Sequence, residues 1–295
     1  MCDSCGCNVT SGNEYLVRAG GKLEKTEHGR ETVDVLKALL TENDHQAAHN
    51  REHFDHRGIL AINLMSSPGA GKTTLLEATI DALKGQYSIA VIEGDLETEN
   101  DAQRIRARGV EAVQITTGNA CHLDAHMVHH ALHHMKLDGL DILFIENVGN
   151  LVCPASFDLG QHRNATLLSV PEGDDKPAKY PVMFRTADVV LLTKTDLLPL
   201  LDDFQPPRVE RYLRELASQA PIMAVSAGKK VSLDNWLEWL ETEIVAHQDR
   251  VKHGETVRPV RQTEGVHRHV DAHGHLSDHT PAHPHVSPVH LERGA

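Results

Sequence analysis

The sequence is poor in aromatic residues, which fill 4% of its 295 positions, and poor in positive charge. It carries 29 Lys and Arg against 42 Asp and Glu, a formal balance of −13 with His neutral. A general binder of nucleic acid or of an anionic membrane needs a basic face, so the balance argues against both. No apolar run approaches the roughly 18 residues of a membrane span. Residues 1–20 lack the basic start and apolar stretch of a secretory signal, so a cytoplasmic protein is expected. Cysteine is scarce, five in all. An odd count in a chain without export signals points away from disulfides and toward metal or catalytic use.

What the chain does have is an apolar fraction of 40%, enough for a core, and 22 unevenly spread histidines. Short apolar runs at "ILAINLM", "SIAVIEG", "VEAVQIT", "DILFIEN", "ADVVLLT" and "PIMAVSA" read as six buried strands. Helical patterns separate most of them, over 73–83, 99–108, 122–135, 209–218 and 233–245. Strands alternating with helices give an α/β fold with a mainly parallel sheet. "PEGDDKPAKYP" reads as a loop. Three segments follow: 1–57, an N-terminal arm with a thiol motif and one helix; 58–247, the folded domain; and 248–295, a His-rich tail. That tail is too poor in apolar surface to fold alone and is expected to be disordered.

"INLMSSPGAGKTT" is the strongest chemical signal. A strand runs into a glycine-rich turn and then a helix, the context of a P-loop. Backbone N–H groups around Gly69, Ala70 and Gly71 can wrap phosphate oxygens. Lys72 reaches the terminal phosphates, Thr73 can hold Mg²⁺, and Thr74 follows at the helix start. The strict pattern has Gly at position 66, where Ser stands. "VVLLTKTD" then places Lys194 and Asp196 after a strand, similar to an Asn-Lys-x-Asp guanine motif with Thr193 in place of Asn. An Asp carboxylate accepts from the guanine N1 and N2 hydrogens, a donor pair adenine lacks. Ser226 and Ala227 follow a later strand, as in a guanine-contacting Ser-Ala element. The ordered set favours GTP over ATP. Mg²⁺ and the attacking water need carboxylates near the γ-phosphate. Glu93 and Asp95 end one strand and Glu146 another. Asp95 is the first candidate to bind Mg²⁺ or position water, Glu146 the second, with Lys72 completing the catalytic set.

A second constellation uses the remaining thiols. Cys121 and His122 follow one strand and Cys153 follows the next, on the sheet edge that carries the nucleotide. Two thiolates and an imidazole suit Zn²⁺ or Ni²⁺. The segment after His122 adds His126, His129, His130, His133 and His134, which read mainly as a solvated face. At the N-terminus, Cys2, Cys5 and Cys7 offer three thiolates, and removing Met1 would expose the α-amine of Cys2 as a fourth ligand. Such a planar set suits Ni²⁺ better than tetrahedral Zn²⁺. The tail holds eight histidines between His267 and His290 that can chelate weakly.

Together, "SSPGAGKTTLLE", "VIEGDLETENDAQRI", "TTGNACHLDAHMV", "ENVGNLVCPASFDLG" and "LLTKTDLLP" resemble the hydrogenase nickel-incorporation GTPases, the HypB family of nickel metallochaperones. The resemblance spans roughly residues 58–250 and the extreme N-terminus. It implies a P-loop GTPase of the signal-recognition/MinD-like (SIMIBI) class that hydrolyses GTP to GDP and dimerises with nucleotide. It also implies an internal metal site at Cys121, His122 and Cys153, and a high-affinity nickel site at Cys2, Cys5 and Cys7. The partners implied are a HypA-type nickel chaperone and the large subunit of a [NiFe] hydrogenase. A urease-type nickel GTPase and a non-enzymatic nickel store are the alternatives. The N-terminal thiols and "CHLD" oppose the first, and the intact Gly-Lys-Thr opposes the second.

Overall fold

The computed structural model describes residues 30–95, 99–118, 120–216, 218–226 and 233–259. The expected sites at Cys2, Cys5, Cys7 and Ala227, and the eight tail histidines, lie outside the described residues.

Among the described residues seven strands form one sheet: β1 (Leu60–Met65), β2 (Ile89–Asp95), β3 (Glu111–Thr116), β4 (Ile142–Glu146), β5 (Arg163–Ser169), β6 (Val189–Thr193) and β7 (Ile222–Ala224). Their order is β3-β2-β4-β1-β5-β6-β7, and every pairing is parallel. Parallel strands covered on both faces read as unbroken apolar runs. "LAINLM" and "ILFIE" are buried throughout for that reason. Helices cover the sheet: α1 (Arg30–Asp55), α2 (Lys72–Leu83), α3 (Asn100–Arg106), α4 (Ala125–Leu132), the short α5 (Lys176–Lys179) and α6 (Pro181–Arg185), α7 (Pro206–Glu215) and α8 (Asp234–Lys252). On one face α2 and α8 pack with β1 and β4 through Leu75, Leu76, Ile80, Trp236 and Leu240. The indole Nε1 of Trp236 donates to Thr79 Oγ1 at 2.9 Å, so its polar edge stays satisfied inside the core.

The seven strands include one the sequence does not announce. β5 pairs with β1 near the middle of the sheet, yet it opens on Arg163 and Asn164. No full helix precedes it, only the 3₁₀ turn Cys153–Ser156. Likewise "PEGDDKPAKYP" is not all loop, since Pro177 and Pro181 open α5 and α6 near their first turns. The helix expected over 122–135 is shorter, because Asp124 caps it by accepting from Met127 N at 2.7 Å.

The second half of α1 packs on the domain. Asn43, Ala47, Asn50, Arg51 and Phe54 recur at helical spacing and are all buried. Arg51 Nη2 meets Asp158 Oδ1 at 2.7 Å with both side chains out of water. Gly160 faces this seam with φ +94°, and a Cβ there would lie 2.6 Å from Asn50 Cβ. A boundary at 57/58 therefore cuts through tightly packed structure: residues 43–54 belong to the unit they are buried in.

Candidate nucleotide and metal sites

β1 runs straight into Ser66–Thr73. Gly69 (φ +74°) and Gly71 (φ +99°) take conformations that side chains rarely adopt, and a Cβ on either would meet nothing within 4 Å. The loop is thus an open cradle of backbone groups at the start of α2. Lys72 Nζ bridges it by donating to Ser66 Oγ at 3.2 Å. Ser at position 66 therefore serves the loop through its hydroxyl. Gly149 presses on the cradle from outside, and a Cβ there would stand 2.8 Å from Pro68 Cα. Thr74 is exposed beside Arg104 Nη2, which donates to its Oγ1 at 3.4 Å.

The guanine-motif residues are tied to this loop. Thr193 Oγ1 donates to Ala70 O at 2.7 Å, and Lys194 Nζ donates to Gly69 O at 2.7 Å. Thr193 thus fastens the end of β6 to the phosphate cradle. Lys194 has φ +57°, unusual for a non-glycine residue and typical of strain held at a functional turn. Ser226 Oγ donates to Asp196 Oδ1 at 2.7 Å, which joins two of the residues expected to meet the base.

Thr73 Oγ1 donates to Glu146 Oε1 at 2.9 Å. Glu146 is the register partner of Glu93 on β2, so both carboxylates stand on the same side of the sheet. With Asp101 they bring ligand oxygens within 4.8 Å of one another. Glu93 Oε2 and Glu146 Oε2 are buried without a hydrogen-bond partner. Burial, then the charge of Glu146, pushes Glu93 up to about 8. Burial also pushes Glu146 up to about 7 despite the pull of Lys72 and Thr73. Orphaned buried carboxylate oxygens beside a P-loop threonine fit a hard divalent cation such as Mg²⁺. Asp95, the first candidate by sequence, sits half-buried at the end of β2, and its carbonyl accepts from Thr117 N at 2.9 Å. Glu93 has no motif of its own. Its signal is a charged residue inside an otherwise apolar strand.

Cys121, His122 and Cys153 converge, with ligand atoms within 4.8 Å of one another. The two sulfurs lie 2.9 Å apart with no disulfide between them, and Cys121 Sγ lies 3.6 Å from His122 Nδ1. The hydrogen bond with Cys153, then that with His122, pulls the Cys121 thiol down to about 4. His122 is clamped by stacking on Phe157 at 3.9 Å between ring centroids. Thiolate character, a fixed imidazole and partial burial make a soft ligand set for Zn²⁺ or Ni²⁺.

The two sites share a wall. Asn147 follows Glu146, and its Oδ1 accepts from Leu123 N at 3.2 Å, beside His122. Its Nδ2 donates to Asn63 Oδ1 on β1 at 3.3 Å. Gly94 of β2 lies against the Leu123 side chain so closely that an added Cβ would come within 2.8 Å of it.

A parallel sheet with a strand–P-loop–helix at its centre defines a nucleotide-binding protein of the P-loop class. The CobW/HypB/UreG nucleotide-binding domain family matches residues 60–224. The hydrogenase maturation factor HypB of Azotobacter vinelandii is 53% identical over 211 residues, covering 71% of this chain and 69% of the relative. HypB of Escherichia coli K12 is 50% identical over 214 residues, with 72% and 73% covered. The crystal structure of Helicobacter pylori HypB in complex with nickel is similar at TM-score 0.67 and 44% identity, over 70% of this chain and 97% of that one. The chain belongs to the HypB family of hydrogenase maturation factors.

Proposed function

We propose that this chain hydrolyses GTP to GDP and phosphate, and couples that cycle to binding and release of Ni²⁺ during maturation of a [NiFe] hydrogenase. The observation that carries it is the short path between sites: Thr73 to Glu146, Glu146 to Asn147, Asn147 to Leu123 beside Cys121 and His122. Kinship to HypB, and a nickel complex of the Helicobacter pylori protein, support nickel as the cargo.

In this reading Gly69, Ala70, Gly71, Thr73 and Thr74 present backbone N–H groups to the β- and γ-phosphates, and Lys72 turns from Ser66 to the phosphate oxygens. Asp196 reads the guanine N1 and N2 hydrogens, Lys194 packs along the base, and Ser226 and Ala227 flank it. Mg²⁺, when bound, neutralises phosphate charge. Thr73 with Glu146 and Glu93 would hold it, and Asp95 orients the attacking water. The water oxygen forms a bond to the γ-phosphorus as the bond to the bridging oxygen breaks, and a water proton passes to solvent or a nearby carboxylate. Hydrolysis removes the γ-phosphate that Thr73 and Glu146 face, and the Asn147–Leu123 contact carries that change to the thiols. Cys121, His122 and Cys153 hold Ni²⁺ or Zn²⁺, and Cys2, Cys5 and Cys7 hold Ni²⁺ tightly. Nucleotide favours a homodimer, and delivery runs to a HypA-type chaperone and the hydrogenase large subunit. Among the described residues no helix is long and apolar enough to cross a membrane.

The test is GTP turnover of the full chain and of Lys72→Ala. Turnover should fall by about 100-fold or more, the scale of removing a preorganised charge from a transition state. Equal turnover in the variant overturns the GTPase assignment.

A further inference from the structure

α1 and α4 pack side by side, and four histidines meet on their outer seam. His49 and His53 are four residues apart on α1; His129 and His133 are four apart along α4 and its last turn. Ring centroids lie 4.5 Å apart for His49–His53, 4.7 Å for His129–His133 and 5.2 Å for His49–His129. Residues at this spacing share one helix face, so each helix offers a pair of imidazoles in one direction.

The hydrogen bonds fix which nitrogen is available. The Asn50 amide nitrogen donates to Ala125 O at 2.8 Å and to Leu159 O at 3.1 Å. Its Oδ1 is therefore the acceptor facing His129 Nδ1 at 3.1 Å, which places the His129 proton on Nδ1. The lone pair of neutral His129 is left on Nε2. That atom lies 3.2 Å from His133 Nε2. Two imidazole nitrogens about 2.1 Å from one metal ion, at angles of about 90–110°, stand about 3.0–3.4 Å apart. The pair already has that spacing, and a buried carboxamide holds one ring in the tautomer a metal ligand needs.

We propose that His129 Nε2 and His133 Nε2 form a divalent transition-metal site suited to Ni²⁺, Cu²⁺ or Zn²⁺, with water in the remaining positions. A hollow of about 550 Å³ lined by His53, Leu132, His133 and Met135 opens beside the pair and leaves room for water ligands. In the metal-free chain His133 Nε2–H can donate to His129 Nε2; on metal binding the His133 proton moves to Nδ1, with no net change in protons. The buried trio Asp55, His162 and His247 is a weaker candidate. His162 Nδ1 accepts from Ala61 N at 2.9 Å, so its Nε2 carries the proton and faces Asp55. The seam site goes beyond the proposed function and stands whether or not the chain hydrolyses GTP. Metal there would fix the last turn of α4, which begins three residues after His122 and is tied to α1 through the Asn50–His129 hydrogen bond.

Equilibrium dialysis of the full chain against Ni²⁺ alone tests it. His133→Gln, which keeps the Asn50–His129 bond, and His129→Gln/His133→Gln should each bind one equivalent fewer than the unaltered chain. His130→Gln/His134→Gln removes a second pair of the same spacing on the neighbouring face, with rings 5.1 Å apart, and should lose nothing. Ni²⁺ should also slow amide exchange in α4, and not in His133→Gln. Full stoichiometry in both seam variants, or an equal loss in the control, overturns the site.

Discussion

Glu93→Gln should make the metal-free protein more stable above neutral pH and less able to hydrolyse GTP. Its carboxyl holds a proton up to about 8 instead of 4.5, first because it is buried and then because Glu146 faces it. A folded-state value raised this way binds the proton more tightly than the unfolded chain does. Its contribution to stability is fully present below about pH 4.5 and is lost as pH climbs through about 8. At about 1.4 kcal/mol per pH unit the whole shift is worth roughly 5 kcal/mol, and proton sharing with Glu146 reduces the recoverable part to about 2–3 kcal/mol. For a domain of this size that raises Tm by roughly 4–12 °C at pH 8. At pH 5 the native carboxyl is already neutral and the two proteins should melt together.

The assay is thermal denaturation from pH 5 to 8.5 without metal, repeated with GDP and with GDP plus Mg²⁺. The unaltered chain should gain more from Mg²⁺ at pH 8 than Glu93→Gln does, because a cation supplies the counter-charge that the glutamine no longer needs. Hydrolysis should fall in the same variant, so stability and activity move in opposite directions. A Tm difference of equal size at pH 5 and pH 8, or a glutamine variant that melts lower at both, would refute the placement of a charged pair behind Thr73.

Other outcomes can be read independently. In the metal-free chain Cys121 should react with iodoacetamide at pH 6 at a rate near its plateau, since its thiol is held at about 4; a rate still climbing through pH 8–9 would mean the Cys153 and His122 contacts are absent. Asp196→Asn should weaken GTP binding at least tenfold while gaining xanthosine triphosphate, whose ring carbonyl accepts from the amide; unchanged GTP affinity removes Asp196 from the base site. Gly149→Val should weaken nucleotide binding without touching the ligand, because its Cβ has no room beside Pro68; wild-type GTP affinity in a folded variant would show that the cradle yields there.

The parts of the fold that could be read in advance are those where one physical requirement dominates. Strands β1, β2, β4 and β6 are buried on both faces, and burial alone writes an apolar run. The phosphate loop is legible because backbone approach demands glycine at Gly69 and Gly71. β5 was hidden because its first residues serve other contacts: Arg163 Nε pairs with Glu243 at 2.9 Å, and Asn164 Oδ1 accepts from Gln161 Nε2 at 2.9 Å. The packed half of α1 was hidden for a similar reason. Its buried face carries Asn43, Asn50 and Arg51, which hydrogen-bond to backbone carbonyls at Asp158, Ala125, Leu159 and Gln161. A polar residue buried for its hydrogen bonds reads in sequence like one exposed to water.

The same blindness applies to the link between sites. The loops with Cys121 and Cys153 could be paired from topology, since both follow strands on the nucleotide edge. What joins them to the P-loop is Asn147, an ordinary residue in "IENVGN" whose side chain bonds Leu123 N on one side and Asn63 on the other. It is also buried, so removing one partner leaves a polar group unmet, at a cost of about 1–3 kcal/mol. That makes the register between Glu146 and the Cys121 loop stiff. A shift of Glu146 as Thr73 exchanges its carboxylate for a cation must then move Leu123 or break a buried hydrogen bond. Asn147→Ala should therefore leave the thiol and phosphate ligands in place but uncouple them. Ni²⁺ affinity should become the same with GTP analogue as with GDP; if it still differs as in the unaltered chain, the coupling runs elsewhere.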